Sequence, residues 1–340
     1  MGGGISGLSC AWEMARRGAR VRLIERARIG AGASGGVVGA LAPHVPENWN
    51  AKKAFQLESL MAAEQFWSDV AAAGGIDPGY RRTGRLVPVA DGAARALAEA
   101  RAKGARTLWQ GCADWRVIPA GEAGEWAPPS AEGVLVSDTL SARIHPLQAC
   151  QALAAALRAA GAELVEGDSE PEGAPVLWAT GVSGLAALSA DLGQSVGQGI
   201  KGQAALLDLD RRDSPQLFVD GLHIVPHADG TVAVGSTTER EFGHAEATDA
   251  RLDALIDEVR RAVPPLADAP VLARWAGERP RARSRAPMLG AWPGRPGHFV
   301  ANGGFKIGFG MAPGVARVMA DLVLEGRDTI PEGFRVEDSL

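Results

Sequence analysis

Two cations in this 340-residue chain, Arg279 and Lys306, stand in apolar or glycine-rich surroundings instead of on a charged helix face. In Trp275-Ala276-Gly277-Glu278-Arg279-Pro280 the arginine ends a strand, where its planar fork can hold a carboxylate through two parallel hydrogen bonds. A structural ion pair with Glu278 or Glu239 is the competing reading. Lys306 lies within Asn302-Gly303-Gly304-Phe305-Lys306-Ile307-Gly308-Phe309-Gly310, just before a helix, among glycines that can bring backbone amides up to an aromatic ring system. An ordinary solvated lysine fits the same residues. The N-terminus carries a different chemistry, Gly2-x-Gly4-x-x-Gly7 with Glu25 eighteen positions after Gly7. The first glycine turns a strand sharply into a helix, the second admits a pyrophosphate, and the third lets helix and sheet pack closely. The positive helix end then faces the phosphates, and the acid accepts from the ribose.

The elements that must position these groups are readable around the motif. Ile5, Leu8, Ala11, Trp12 and Ala15 form the apolar stripe of a helix that Gly18 ends, and Val21 to Glu25 is a short buried strand. No strand precedes Gly2, although that strand lies mid-sheet in such folds. The expectation is a longer native N-terminus or a sheet with a gap beside the nucleotide.

Bulk properties suit a globular enzyme-sized chain: 46% of residues are apolar, enough for a substantial core in one large or two intertwined domains. A net charge of -5 gives no general attraction to nucleic acid or acidic membranes. No apolar stretch reaches a membrane span and no signal-peptide pattern opens the chain, so a cytoplasmic location is expected. Cys10, Cys112 and Cys150 form no Cys-x-x-Cys pair, and Pro226 between His223 and His227 keeps those histidines off one helical face, so no metal site is expected.

After Glu25 a loop of small residues, Arg28 to Pro43, permits close approach of something flat or phosphorylated. Helices are expected over about Ala51 to Ala73, Pro146 to Ala160, Ala247 to Val263 and Ala312 to Leu324. Tyr80 to Val89 reads as a turn into a strand, and Ala174 to Gly181 as a buried strand ending in a turn. Strands over Gly202–Leu209, Leu217–Val219, His223–Val225, Thr231–Gly235 and Pro270–Gly277 imply an antiparallel sheet.

The order of these motifs resembles the D-amino-acid oxidase and glycine oxidase family of FAD-dependent amine oxidoreductases. The resemblance rests on Gly2 to Gly7 with Glu25, Gly32-Ala33-Ser34-Gly35, Ala179-Thr180-Gly181, Ile224-Val225-Pro226 with Gly235-Ser236-Thr237, Gly277-Glu278-Arg279-Pro280, Pro287-Met288-Leu289-Gly290 and the closing Gly303 to Pro313 turn. It implies an α/β fold: an FAD-binding Rossmann-like domain, its first strand missing or truncated, over residues 1–41, 140–198 and 288–340. A mostly antiparallel substrate domain over 42–139 and 199–287 intertwines with it. It further implies ADP on Gly2, Gly4, Ile5, Ser6, Gly7, Glu25 and Arg26, phosphate at Ala33 and Ser34, the flavin region at Gly39, Ala40 and Leu41, a contact at Gly181, and the pyrimidine end at Lys306, Ile307 and Gly308. Arg279 matches the family arginine that binds the substrate carboxylate. In that chemistry a neutral amine gives a hydride from its α-carbon to flavin N5, the imine hydrolyses, and oxygen or another acceptor reoxidises the flavin. Placement and electrostatics carry such catalysis, with Lys306 stabilising the anionic reduced ring.

Departures are specific. His223 stands where glycine oxidase-like members place a tyrosine, which makes it the third candidate catalytic residue. Ser284 replaces an aspartate inside the basic run Arg279, Arg281, Arg283 and Arg285, and the segment from Leu164 to Pro175 is too short for the strand pair usual beside adenine. No cysteine falls near Ser284 or Lys306, so FAD is expected to be non-covalent. The expected substrate is a small amino acid or N-substituted glycine. Two alternatives are a flavoprotein acting on a carboxymethylamino-modified tRNA base, against which the acidic total argues, and a flavin-less remnant.

Overall fold

The computed structural model describes residues 1–173 and 175–340. Its first half contains α1 (Ile5–Arg16), β1 (Arg22–Glu25), β2 (Ala40–Leu41), α2 (Ala51–Gly74), β3 (Arg85–Pro88), α3 (Gly92–Leu108), β4 (Trp115–Pro119), β5 (Val134–Asp138), β6 (Ala142–Arg143), α4 (Pro146–Ala159) and β7 (Glu163–Glu166). The second half contains β8 (Val176–Trp178), α5 (Gly181–Leu192), β9 (Gly197–Asp208), β10 (Gln216–Val219), β11 (Leu222–Pro226), β12 (Thr231–Gly235), α6 (Ala250–Ala262), β13 (Val271–Ala282), β14 (Met288–Ala291), β15 (His298–Asn302) and α7 (Gly308–Glu325). The helix ends have chemical causes. Asn50, Asp91 and Asp249 cap α2, α3 and α6 by accepting backbone N–H bonds, Pro146 opens α4, and Gly75 closes α2 in the left-handed region.

Eight strands form the largest sheet, in the order β13-β9-β12-β11-β10-β3-β5-β4, with every neighbouring pair antiparallel except β10 and β3. Its apolar face packs under α6 through Leu252, Leu255, Ile256 and Val259. A second layer gathers α1, α2, α4 and α7 beside the parallel pair β1-β7 and the three-stranded sheet β14-β15-β8. Trp67 and Trp109 are fully buried there. The expected strand over 174–181 is realised as β8; Ala174 itself lies outside the described residues.

Between β1 and β8 stand Met1 and Gly2. The Gly2 N–H donates to the Ile24 carbonyl at 2.8 Å, the Met1 amine to the Leu177 carbonyl at 2.8 Å, and the Ala179 N–H to the Met1 carbonyl at 2.9 Å. Two residues thus bridge the two small sheets at the position where a full strand was expected.

Several elements differ from expectation. Strands β9 and β13 run longer because they pair with each other along nearly their whole length, from Gly197↔Ala282 to Leu207↔Val271. Helix α7 begins four residues early, at Gly308, and carries Pro313 inside it. Ser59 of α2 accepts the Gly314 N–H at 3.0 Å beside that proline.

Candidate active site

A cavity of about 1370 Å³ runs from the N-terminal turn to β13, larger than the ~300–1,000 Å³ of ordinary ligand pockets. Gly2, Gly4, Ile5, Ser6, Glu25, Arg26, Ala33, Ser34, Ala40, Gly181, His223, Arg279, Lys306 and Gly308 line it. Four residues expected at the cofactor do not line it. Gly7 and Gly39 instead leave room for backbone: a Cβ on Gly7 would overlap the Gly2 carbonyl, and one on Gly39 the Ile144 carbonyl. Leu41 is buried in the core, and Ile307 packs toward the cluster under α7.

At the N-terminal end, the first turn of α1 offers N–H groups that lack intrahelical partners. The Ile5 N–H meets the Ser34 hydroxyl at 3.0 Å. Gly2 has φ +103°, a conformation that favours glycine, and a side chain there would overlap the Ala179 carbonyl. The Glu25 carboxylate accepts from the Gly3 and Ala27 N–H groups at 2.6 and 2.9 Å. Gly167 to Glu170, in the short segment after β7, also line the cavity, and the Gly167 N–H donates to the Glu25 carbonyl at 2.9 Å.

At the other end, Arg279 is buried without an ion pair among the described residues. Its Nη1 donates to Ser236 Oγ at 2.7 Å, its Nη2 donates to the Thr237 carbonyl at 2.7 Å, and its Nε has no partner. Glu239 instead accepts from Arg251 at 2.7 Å, and Glu278 turns toward Gly199 on the opposite face of β13. Burial pulls the guanidinium down to about 10. Lys306 Nζ donates to Thr238 Oγ1 at 2.9 Å, and burial, with Arg279 nearby, lowers it to about 8. Phe305 joins the two: the Arg279 guanidinium lies 5.5 Å and the Lys306 amine 5.8 Å from its ring centre.

His223 faces the cavity, its ring 4.8 Å from that of Phe218 and its buried Nδ1 without a partner. Burial, then the charges of Arg85 and Lys306, push it down to about 3, so the ring is neutral. His227 bonds the Val37 carbonyl at 2.9 Å, and burial lowers it to about 4. Both histidines bind protons below 6.5 when unfolded but resist them when folded. The unfolded state therefore takes up more protons across that window, and stability falls as pH drops from about 6.5 toward 4. Thermal melts at pH 7.5 and 5 are expected to show the drop, and His223→Asn with His227→Gln to shrink it; an undiminished drop in the double variant assigns the acid sensitivity to other groups.

Sequence reasoning passed over Trp275, Ser236 as a ligand of Arg279, and the cationic socket of Phe305. The signal for Trp275 was present in Trp275-x-Gly277: on a strand these share a face, and the ring lies over Gly277 and against Gly36, space that side chains on those residues would fill.

The comparisons with known proteins agree with this geometry. Residues 1–322 match the DAO family model, described as FAD dependent oxidoreductase. The glycine oxidase of Pseudomonas aeruginosa is 29% identical, over 97% of this chain and 95% of its own. The glycine oxidase of Geobacillus kaustophilus is 28% identical over 95% and 91%. Among solved structures, iminodiacetate oxidase from Chelativorans sp. superposes with a TM-score of 0.85 at 22% identity, covering 98% of this chain and 97% of that one. The residues present fit the cofactor: a helix N-terminus and Ser34 for a pyrophosphate, Glu25 for a ribose, a long cavity, and Lys306 at its far end. The chain belongs to the DAO family of FAD-dependent oxidoreductases, and FAD is its cofactor.

Proposed function

We infer that the protein oxidises a small amino acid or N-substituted glycine whose carboxylate is held by Arg279. The observation that carries this reading is a buried guanidinium facing the cavity with no acid partner and an unused Nε. The glycine oxidase relatives support it. Bound FAD supplies the acceptor for the two electrons of the amine. The protein's share is placement. Ser236 and the Thr237 carbonyl fix the plane of the Arg279 fork, so that the carboxylate orients the α-carbon. Neutral His223 adds a nitrogen for the substrate without adding charge. Lys306 offsets negative charge at the pyrimidine end of the cofactor. FAD sits non-covalently in this reading, since no cysteine lines the cavity among the described residues. The adenine end belongs to a domain of residues 1–41, 140–198 and 288–340, and the substrate end to the remainder. No helix among the described residues is long and apolar enough to cross a membrane.

The test is an anaerobic titration of the FAD-loaded protein with glycine, sarcosine, proline and D-amino acids, followed in the visible spectrum. Bleaching by one of them supports the reading and names the class. A spectrum that none bleaches rejects small amines and shifts weight to an amine carried on RNA.

Lys306 gives a pH signature. With an amine lowered to about 8, roughly nine in ten copies are charged at pH 7 and about one in ten at pH 9. The midpoint potential of bound FAD is expected to fall more steeply with pH above 8 in the native protein than in Lys306→Met. Parallel slopes would show that this charge does not reach the cofactor.

A further inference from the structure

Two glycines paired across β9 and β13 form a floor beside Arg279. Gly202 and Gly277 are register partners, and a Cβ on Gly202 would overlap the Arg279 guanidinium, whereas one on Gly277 would overlap the indole of Trp275. Trp275, Gly277 and Arg279 alternate onto one face of β13, and all three line the cavity. The guanidinium and the benzo edge of the indole therefore fold toward each other along the strand, each over one glycine of the pair. Cβ positions of directly opposed residues stand about 4.5–5.5 Å apart, so the two groups are neighbours. The loop between β1 and β2 holds the indole as well: its Cζ2 and Cη2 atoms lie 3.4 Å from the Cβ position of Gly36. The ring is wedged between that loop and the sheet.

We propose that Trp275 is a specificity residue: it forms the wall beside the carboxylate held by Arg279 and limits the size of the substituent on the substrate's α-carbon. A carboxylate hydrogen-bonded to the guanidinium carries its α-carbon about 5 Å from the donating nitrogen, the same range as the indole edge. A group growing from that carbon meets a ring with no free space to move into, and close-packed surroundings register even one added methylene. Trp275 takes no part in the oxidation. The proposal rests on the role of Arg279 given above.

Inert probes separate the two claims. (Methylthio)acetate and the two enantiomers of 2-(methylthio)hexanoate differ in a four-carbon chain on the α-carbon and lack the amine, so each can be titrated against the visible spectrum of the FAD-loaded protein without turnover. Both enantiomers of the branched acid are expected to bind about 10- to 100-fold more weakly than the unbranched acid, the range of overpacking a filled site. Trp275→Leu should bring at least one enantiomer within about threefold of the unbranched acid, whose own Kd stays near the native value because Ser236 and the Thr237 carbonyl still hold Arg279. Trp275→Phe should narrow the gap by less, and it carries the test if the leucine variant does not fold. An enantiomer that binds the native protein as well as the unbranched acid, a gap unaltered in the variants, or a parallel loss of all three ligands would each overturn the proposal. Loss of FAD from both variants would assign the indole to the cofactor's seat and overturn it as well. Absence of any spectral response to the acids in the native protein removes Arg279 as the carboxylate site, and the proposal with it. If the acids bind without discrimination, the reading of Arg279 stands and that of Trp275 fails.

Discussion

Arg279→Ala is expected to raise KM for carboxylate-bearing substrates by roughly 10²-fold or more, in line with about 3 kcal/mol for a charged hydrogen-bonded contact. The size follows from the setting. The guanidinium is buried, so its bond to a carboxylate is made away from competing water. Its two short contacts, to Ser236 Oγ and the Thr237 carbonyl, and a longer one from Nη2 to the Lys201 carbonyl at 3.4 Å, leave the second Nη1 hydrogen for the ligand. Removing the side chain also strips those two acceptors of their partner, so some loss of stability accompanies the kinetic change, and a melt separates the two. Arg279→Lys keeps a charge but not the fork, and should fall between the native protein and the alanine variant. The check is steady-state kinetics on whichever amine bleaches the flavin; a KM unchanged in Arg279→Ala removes this residue from the site.

How much of this is legible in the sequence depends on the kind of signal each residue leaves. The N-terminal turn was plain because its glycines answer to backbone geometry alone, and Gly2, Gly4 and Glu25 line the cavity as their spacing implies. Arg279 was not decided by its neighbours: they favoured an ion pair with Glu278 or Glu239, the family resemblance pointed instead to a carboxylate, and in the fold strand alternation turns Glu278 away while Arg251 claims Glu239. The stretch from Gly92 to Asp138 gave little warning of α3, β4 and β5. Helix α3 buries only Ala98 and Ala105 among its residues, and its core-facing stripe is Ala94, Ala98, Ala102, Ala105 and Leu108, a period carried by alanines that stand out little in an alanine-rich sequence. Helix α5 was hidden in the same way by small residues following Gly181. Pro313 misplaced the start of α7 because a proline reads as a helix opening, whereas here Ser59 of the neighbouring helix compensates within it. Residues whose role lies in what they leave out were the hardest to see, and Gly202 is the case with the largest consequence.

Gly202→Ala is expected to give a folded, FAD-loaded protein that has lost its grip on carboxylates, with KM raised to a similar extent, on the order of 10²-fold. Gly202 pairs with Gly277 on adjacent strands, and a Cβ there would occupy the space of the Arg279 guanidinium. The obstructed atoms are the far end of a long flexible side chain, so the arginine swings aside and the sheet keeps its register. Gly202 does not sit at positive φ, and alanine there reduces the freedom of the unfolded chain, worth about 0.4–1 kcal/mol in favour of folding. Gly7 makes the contrast: its Cβ would overlap the Gly2 carbonyl, which is backbone and cannot turn away, so Gly7→Ala should fail at folding or at cofactor binding. A double-mutant cycle decides whether Gly202 acts through Arg279. If it does, Gly202→Ala combined with Arg279→Ala is no worse than either alone, because one socket cannot be emptied twice. Additive losses would mean that the glycine serves the sheet or the cofactor by another route.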